Sequence, residues 1–206
     1  MSRDDYNTRN MIFFVLHSPE IIRHKESTMS KKHAKTLSIK QDAEVSHESS
    51  AVGALYPSPE QKNAIAESLR TVLASTHVVA LQARSYHWNV VGARFIPLHD
   101  FFGEQYEALQ EVEDEIAERV RALGQPCFAS VQEFARLATI REDEQLPKSA
   151  NDMLERYAQN LEHLNDGVRS CLALAQEAHD EVTADMMIGR LREQEKALWM
   201  VRSMLA

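Results

Sequence analysis

Four side chains between residues 87 and 118 are of types that bind divalent cations: His87, His99, Asp114 and Glu118. Asp114 and Glu118 stand one helical turn apart, the spacing at which two carboxylates can grip one cation. His87 and His99 flank a short loop that contains Gly92. Imidazole combined with carboxylates suits ferrous iron, and zinc or manganese would accept the same set. Projected at about 100° per residue, the segment around them has two faces. Leu98, Phe102, Leu109, Ile116, Val120 and Leu123 form an apolar stripe fit for a core. His99, Gly103, Glu107, Gln110, Asp114 and Glu118 share the other face. Periodicity alone favours a plain reading of that second face, as charge turned to water.

Distance then constrains the chemistry. His99 and Asp114 are 15 residues apart, about 22 Å along a helix axis, and cannot share a metal within one chain. An antiparallel copy of the hairpin, related by a two-fold axis, could bring the histidines of one subunit to the carboxylates of another. The residues are therefore either two unrelated features or one site at a dimer interface.

The elements that must position these residues are helical. The chain has 206 residues, 44% of them hydrophobic, with only six glycines and six prolines. It is long enough for a sizeable core. Ser58, Pro59 and Gln61 have the pattern of a capping box with proline at the first helical position. They open a helix expected to run to about Trp88 and stop before Gly92. A second helix is expected from about Ile96 to Leu123, ended by Gly124. Ser130 and Glu133 read as another capping box, opening a helix of about two turns. Ser149 and Asp152 open a third long helix reaching about Ala178, and a fourth runs from about Thr183 to Met204. Four long helices with a short one in the crossover describe an all-α, ferritin-like four-helix bundle over residues 58–206.

Residues 1–57 lack a sustained amphipathic period and read as a flexible arm. Met29 and the lysine-rich residues after it look like a protein start, so residues 1–28 read as an upstream extension. The arm carries 8 Lys+Arg and 7 Asp+Glu, or +1, and the rest 15 and 24, or −9, matching the total of −8. An acidic body repels polyanions, so any nucleic-acid contact is expected from the arm. The apolar run Met11–Leu16 is cut off by His17, Ser18 and Pro19, too short for a signal-peptide core or a membrane span. Cys127 and Cys171 suggest no disulfide framework and read as small buried hydrophobes. A soluble, cytoplasmic protein is the expectation.

Three segments carry a family resemblance. Tyr86 to Gly92 (Tyr-His-Trp-Asn-Val-Val-Gly), Phe95 to His99 (Phe-Ile-Pro-Leu-His) and Asp114 to Arg119 (Asp-Glu-Ile-Ala-Glu-Arg) resemble the signature of the Dps family, the mini-ferritins named as DNA-binding proteins from starved cells. The similarity extends over about residues 58–206 and includes Thr183, Ala184, Asp185, Leu198 and Trp199. Other bundle ferritins use Glu-x-x-His pairs inside each bundle. Here the one such pair, Glu44 and His47, lies in the arm.

The resemblance implies a dodecameric shell that oxidises Fe(II), typically with hydrogen peroxide, stores the ferric product and protects DNA from oxidative damage under stress. Carried over by position, His87 of one subunit joins Asp114 and Glu118 of its partner at the tighter iron position, and His99 belongs to the weaker one. It further implies an acid-lined three-fold pore at Asp180, Glu181 and Asp185, where capping of the last helix is the plainer use. Lys31, Lys32, Lys35 and Lys40 form an acid-free stretch able to hold DNA phosphates without reading sequence. If bound, DNA would place the protein at the nucleoid. Trp88, beside His87, is either a radical quencher or ordinary packing. His77, His163 and His179 lack partners at ligand spacing and read as structural or exposed.

One position departs from the family pattern. A carboxylate is usual four residues after the second histidine, and this chain has Gly103. The second iron position thus loses its anionic ligand, and neither Glu107 nor Glu104 stands where it could fully replace it. An alternative follows: a DNA-compacting shell with impaired ferroxidase activity. An aspartate at 103 would be expected to restore the second iron.

Overall fold

The computed structural model describes residues 56–206, so the arm and its lysines lie outside the described residues. Five helices follow in order: α1 (Pro59–Asn89), α2 (Phe95–Ala122), α3 (Val131–Leu137), α4 (Ala150–Glu177) and α5 (Glu181–Leu205). There is no strand among the described residues. α1 packs on α2, α4 packs on α5, and α1 bridges the two pairs through α4. The result is the expected bundle with a short helix in the crossover. Among the described residues no helix is long and apolar enough to cross a membrane.

The helix ends follow local chemistry. Ser58 Oγ accepts from the Gln61 amide at 3.2 Å while Gln61 Oε1 accepts from the Ser58 amide at 2.8 Å. Ser149 and Asp152 repeat this reciprocal box at the start of α4. Ser130 makes only half of one. Its hydroxyl accepts from the Glu133 amide at 3.1 Å, but the Glu133 carboxylate turns forward to Arg136 at 3.0 and 2.6 Å. A guanidinium one turn ahead competes with the backbone amide for that carboxylate.

At the other ends the chain leaves through left-handed residues. Gly124 has φ +85°, with Gln125 N–H donating to Val120 O and Gly124 N–H to Arg121 O. This is a Schellman pair of bonds. α4 ends the same way around His179, at φ +55°, through Asp180 N–H to Ala175 O and His179 N–H to Gln176 O. α5 starts two residues earlier than expected, because Asp180 caps it by accepting from the Thr183 amide at 3.1 Å.

The core has two parts. One gathers Tyr86, Phe102 and Tyr157 in edge-to-face contact, with Leu98, Leu154, Leu161 and Leu164 around them. The other gathers Ile65, Leu69, Ile116, Val168 and Met187. All six members of the apolar stripe, five on α2 and Leu123 at its C-cap, are buried, as are Phe101 and Val112 beside it. Cys171 is buried in the second part and Cys127 lies half-buried against it. Burial pushes both thiols above their ordinary pKa, in keeping with small hydrophobes.

Candidate metal centre

The hairpin between α1 and α2 holds the two histidines face to face. α1 ends at Asn89, and Gly92, at φ +105°, makes a turn that a side chain would strain. His87, in the last turn of α1, then lies beside His99, in the second turn of α2. Arg94 anchors the turn through Met204 O at 2.7 Å, and through Asn151.

The two imidazoles bond reciprocally. His87 Nδ1 donates to His99 O at 2.7 Å, and His99 Nδ1 donates to His87 O at 2.8 Å. A carbonyl oxygen can only accept, so each Nδ1 carries a proton, which leaves Nε2 as the nitrogen of each ring that could ligate a metal. Such bonds fix the tautomer and raise the basicity of a ligating imidazole. The rings stack with centroids 3.7 Å apart and planes inclined by 22°. Tyr106 meets His87 edge-on at 5.4 Å, and Phe95 covers His99 at 5.1 Å.

This stacking limits what the pair can hold. The Nε2 lone pair lies in the ring plane, and a bound metal sits about 2.1 Å from the nitrogen. Nearly parallel planes do not converge at that distance. The two imidazoles therefore cannot both ligate one cation.

Asp114 and Glu118 lie exposed on α2, well along the helix from the histidines. Among the described residues no three His, Cys, Asp or Glu side chains stand close enough to hold a metal. Within one chain the structure thus brings His87 and His99 together and leaves the carboxylates apart from them. Glu107 is exposed, with the Tyr106 hydroxyl 3.4 Å from its carboxylate, and Glu104 is exposed as well.

Gly103 is buried, although sequence puts it on the polar face. A Cβ built there would stand 3.2 Å from Nδ1 and 3.3 Å from Cε1 of His87. A side chain at this position would therefore press on the His87 ring. That qualifies the expectation of a simple repair.

The remaining candidates are distributed as follows. Asp180 is buried and engaged: Arg119 Nη2 donates to it at 2.6 Å and the Thr183 hydroxyl at 2.6 Å. Burial alone would raise its pKa, but the bonds from Arg119 and Thr183 outweigh that and hold it below the usual carboxylate range. Glu181 and Asp185 are exposed nearby on α5. Trp88 points away from the chain's own core, 69% exposed. His77 is structural, bonded to Glu113 at 3.0 Å and packed on Phe134 at 4.6 Å. His163 and His179 are exposed.

Sequence reasoning missed the support behind His87. The Tyr86 hydroxyl donates to Asp143 in the crossover, and Gln82 Nε2 donates to both, at 3.0 Å to the phenol and 3.1 Å to the carboxylate. Asn160 of α4 donates to Gln82 Oε1 at 3.1 Å, and Arg156 pairs with Asp143 at 3.3 Å. Burial, then the Asp143 carboxylate, push the Tyr86 phenol well above its ordinary pKa. The network fixes the last turns of α1, and with them His87.

Comparison with known proteins agrees with this architecture. A family model described as a ferritin-like domain matches residues 66–206. The DNA protection during starvation protein of Porphyromonas gingivalis is 34% identical over 142 residues, covering 69% of this chain and 89% of that protein. The crystal structure of a Dps protein from Vibrio cholerae O1, titled a member of a broad superfamily of ferritin-like diiron-carboxylate proteins, matches with a TM-score of 0.70 at 32% identity. That match covers 73% of this chain and 94% of the other. Antigen TpF1 of Treponema pallidum matches with a TM-score of 0.70 at 32% identity, over 72% and 96%. The bundle and the histidine hairpin thus define a ferritin-like protein. Within that class, the chain belongs to the Dps family.

Proposed function

We propose that this protein is a ferroxidase and iron store, oxidising Fe(II) with hydrogen peroxide at sites shared between two copies of the chain in a dodecameric shell. The observation that carries the reading is the split ligand set. Two imidazoles with Nε2 left to ligate sit at one end of α2, and an exposed carboxylate pair sits near the other. The rim of the hairpin supports a partner there. Val91 and Ile96 are 73% and 61% exposed, beside the exposed Trp88. Apolar groups clustered this way mark a contact surface.

In this reading His87 binds one ferrous ion with Asp114 and Glu118 of the partner, whose negative charge favours the ferric product. His99 binds the second. Each of two ferrous ions gives one electron to a peroxide, which takes up two protons and leaves as water. With Gly103 beside it, the second iron has only nitrogen and water from this chain, so one iron binds tightly and the other transiently. Glu181 and Asp185, with Asp180 as the buried cap behind them, would line an entry route. Lys31, Lys32, Lys35 and Lys40 would contact DNA in the cytoplasm.

Gly103 also favours a second reading: a shell that compacts and shields DNA with only slow iron oxidation. Peroxide-driven growth of near-ultraviolet absorbance after Fe(II) addition separates the two. Under the first reading, His87→Ala or Glu118→Ala lowers the initial rate by about tenfold or more, and His99→Ala lowers it less. An unmutated protein no faster than these variants would favour the second.

A further inference from the structure

We propose that Gly103 is a positioning residue: its missing side chain seats the His87 imidazole against α2 and holds the stacked pair, and it leaves at His99 a position without a carboxylate from its own helix, suited to borderline divalent cations. The inference rests on the metal-site reading above, but its steric half concerns the protein without metal.

Backbone conformation does not call for glycine here. Among the described glycines, left-handed φ values occur at Gly92 and Gly124, and Gly103 lies within regular helix. Glycine inside a helix is otherwise unfavourable relative to alanine. What requires it is space. A Cβ at 103 would approach the His87 ring to 3.2 and 3.3 Å, closer than ordinary van der Waals contact. The ring has little room to retreat. Its Nδ1 is held by His99 O at 2.7 Å, one face is covered by His99 at 3.7 Å, and Tyr106 stands at its side at 5.4 Å.

The same absence sets the ligand class. His99 has no carboxylate one turn further on, so its cation takes a single imidazole nitrogen from this chain. Imidazole without hard anionic oxygen suits zinc, cobalt or copper better than ferrous iron in the divalent series.

A double-mutant cycle on the full chain, with Co(II) as the metal probe, tests both halves. In the metal-free protein Gly103→Ala should leave the melting temperature unchanged or lower it. In a His87→Ala background the same substitution should raise it by about 2–4 °C, the ordinary gain from removing a helix glycine. Cobalt affinity, read from its visible absorption, should fall about tenfold or more in Gly103→Ala. Gly103→Ser, which adds the same Cβ with less helix propensity, should show the same loss. Equal thermal gains in both backgrounds, or unchanged cobalt affinity in the Ala and Ser variants, overturns the proposal. Cobalt binding that ignores His87→Ala and His99→Ala overturns the cation half and the metal-site reading together. Binding lost in those variants but not in Gly103→Ala leaves that reading standing and removes only the role of Gly103.

Discussion

Asp180 shows how much one side chain can hold together. Its backbone amide closes α4, its carboxylate caps α5, and the same carboxylate pairs with Arg119 from α2. Asp180→Ala removes a cap and strands a largely buried guanidinium, at a cost of about 2–4 kcal/mol. Asp180→Asn keeps the capping oxygen and loses the charge, so it should cost less. The pH dependence follows from the lowered pKa. An unfolded aspartate titrates near about 3.9, so the stabilisation is complete above that pH and disappears as pH falls through the lower folded value. Thermal melts should show the gap between the unmutated protein and Asp180→Asn narrowing below about pH 4. A gap constant down to pH 2.5 would mean that the charge on Asp180 contributes nothing. At this scale the metal-binding types were legible, because His87, His99, Asp114 and Glu118 announce themselves by chemistry and spacing. Gly103 was legible only as a missing ligand, since sequence does not say what fills the space beside a glycine. Asp143 was not legible at all: it meets Tyr86 across 57 positions from an acidic loop with no pattern.

Among the elements, local signals decided where reading from sequence succeeded. Ser58 with Gln61, and Ser149 with Asp152, are complete boxes: the Gln61 amide carries no charge to attract a cation, and Arg156, one turn past Asp152, pairs with Asp143 instead. Ser130 with Glu133 has the same spacing but is half a box, since Arg136 takes the carboxylate. The start of α5 was placed late because the α4–α5 junction has no glycine. His179 occupies the left-handed position that glycine usually fills. That conformation costs a side-chain-bearing residue roughly 1 kcal/mol or more. His179 is exposed, and its ring has no hydrogen bond to offset the strain among the described residues. His179→Gly should therefore stabilise the bundle by about 0.5–1 kcal/mol, after allowing for the freer unfolded chain. A rise of about 1–4 °C in melting temperature is the expected result, and a fall would show that the imidazole contributes where the bundle alone shows no contact.

At the scale of the whole molecule, charge and apolar surface assign different tasks to different parts. Residues 58–206 carry −9 and should repel DNA, so the proposed DNA contact falls to the lysines of the arm. Deleting residues 1–40 should abolish a DNA gel shift, and the intact protein should lose affinity steeply with salt. A truncated protein that shifts DNA equally well would exclude the arm as the contact. The hairpin rim makes the complementary case for assembly. Ile96 is 61% exposed in the single chain, so Ile96→Asp removes little from the bundle's own core. Placed under a partner subunit, the new carboxylate would be desolvated without a counter-charge, at a cost of several kcal/mol per site. At the proposed two-fold interface each contact would carry the penalty twice. Native mass spectrometry should then show a smaller species with an unchanged melting profile for the helices. Iron oxidation should fall with it, although no ligand has been touched, because His87 would lose the partner's Asp114 and Glu118. If Ile96→Asp remained fully assembled and oxidised iron at the unmutated rate, the partner would have to meet the histidines by another face.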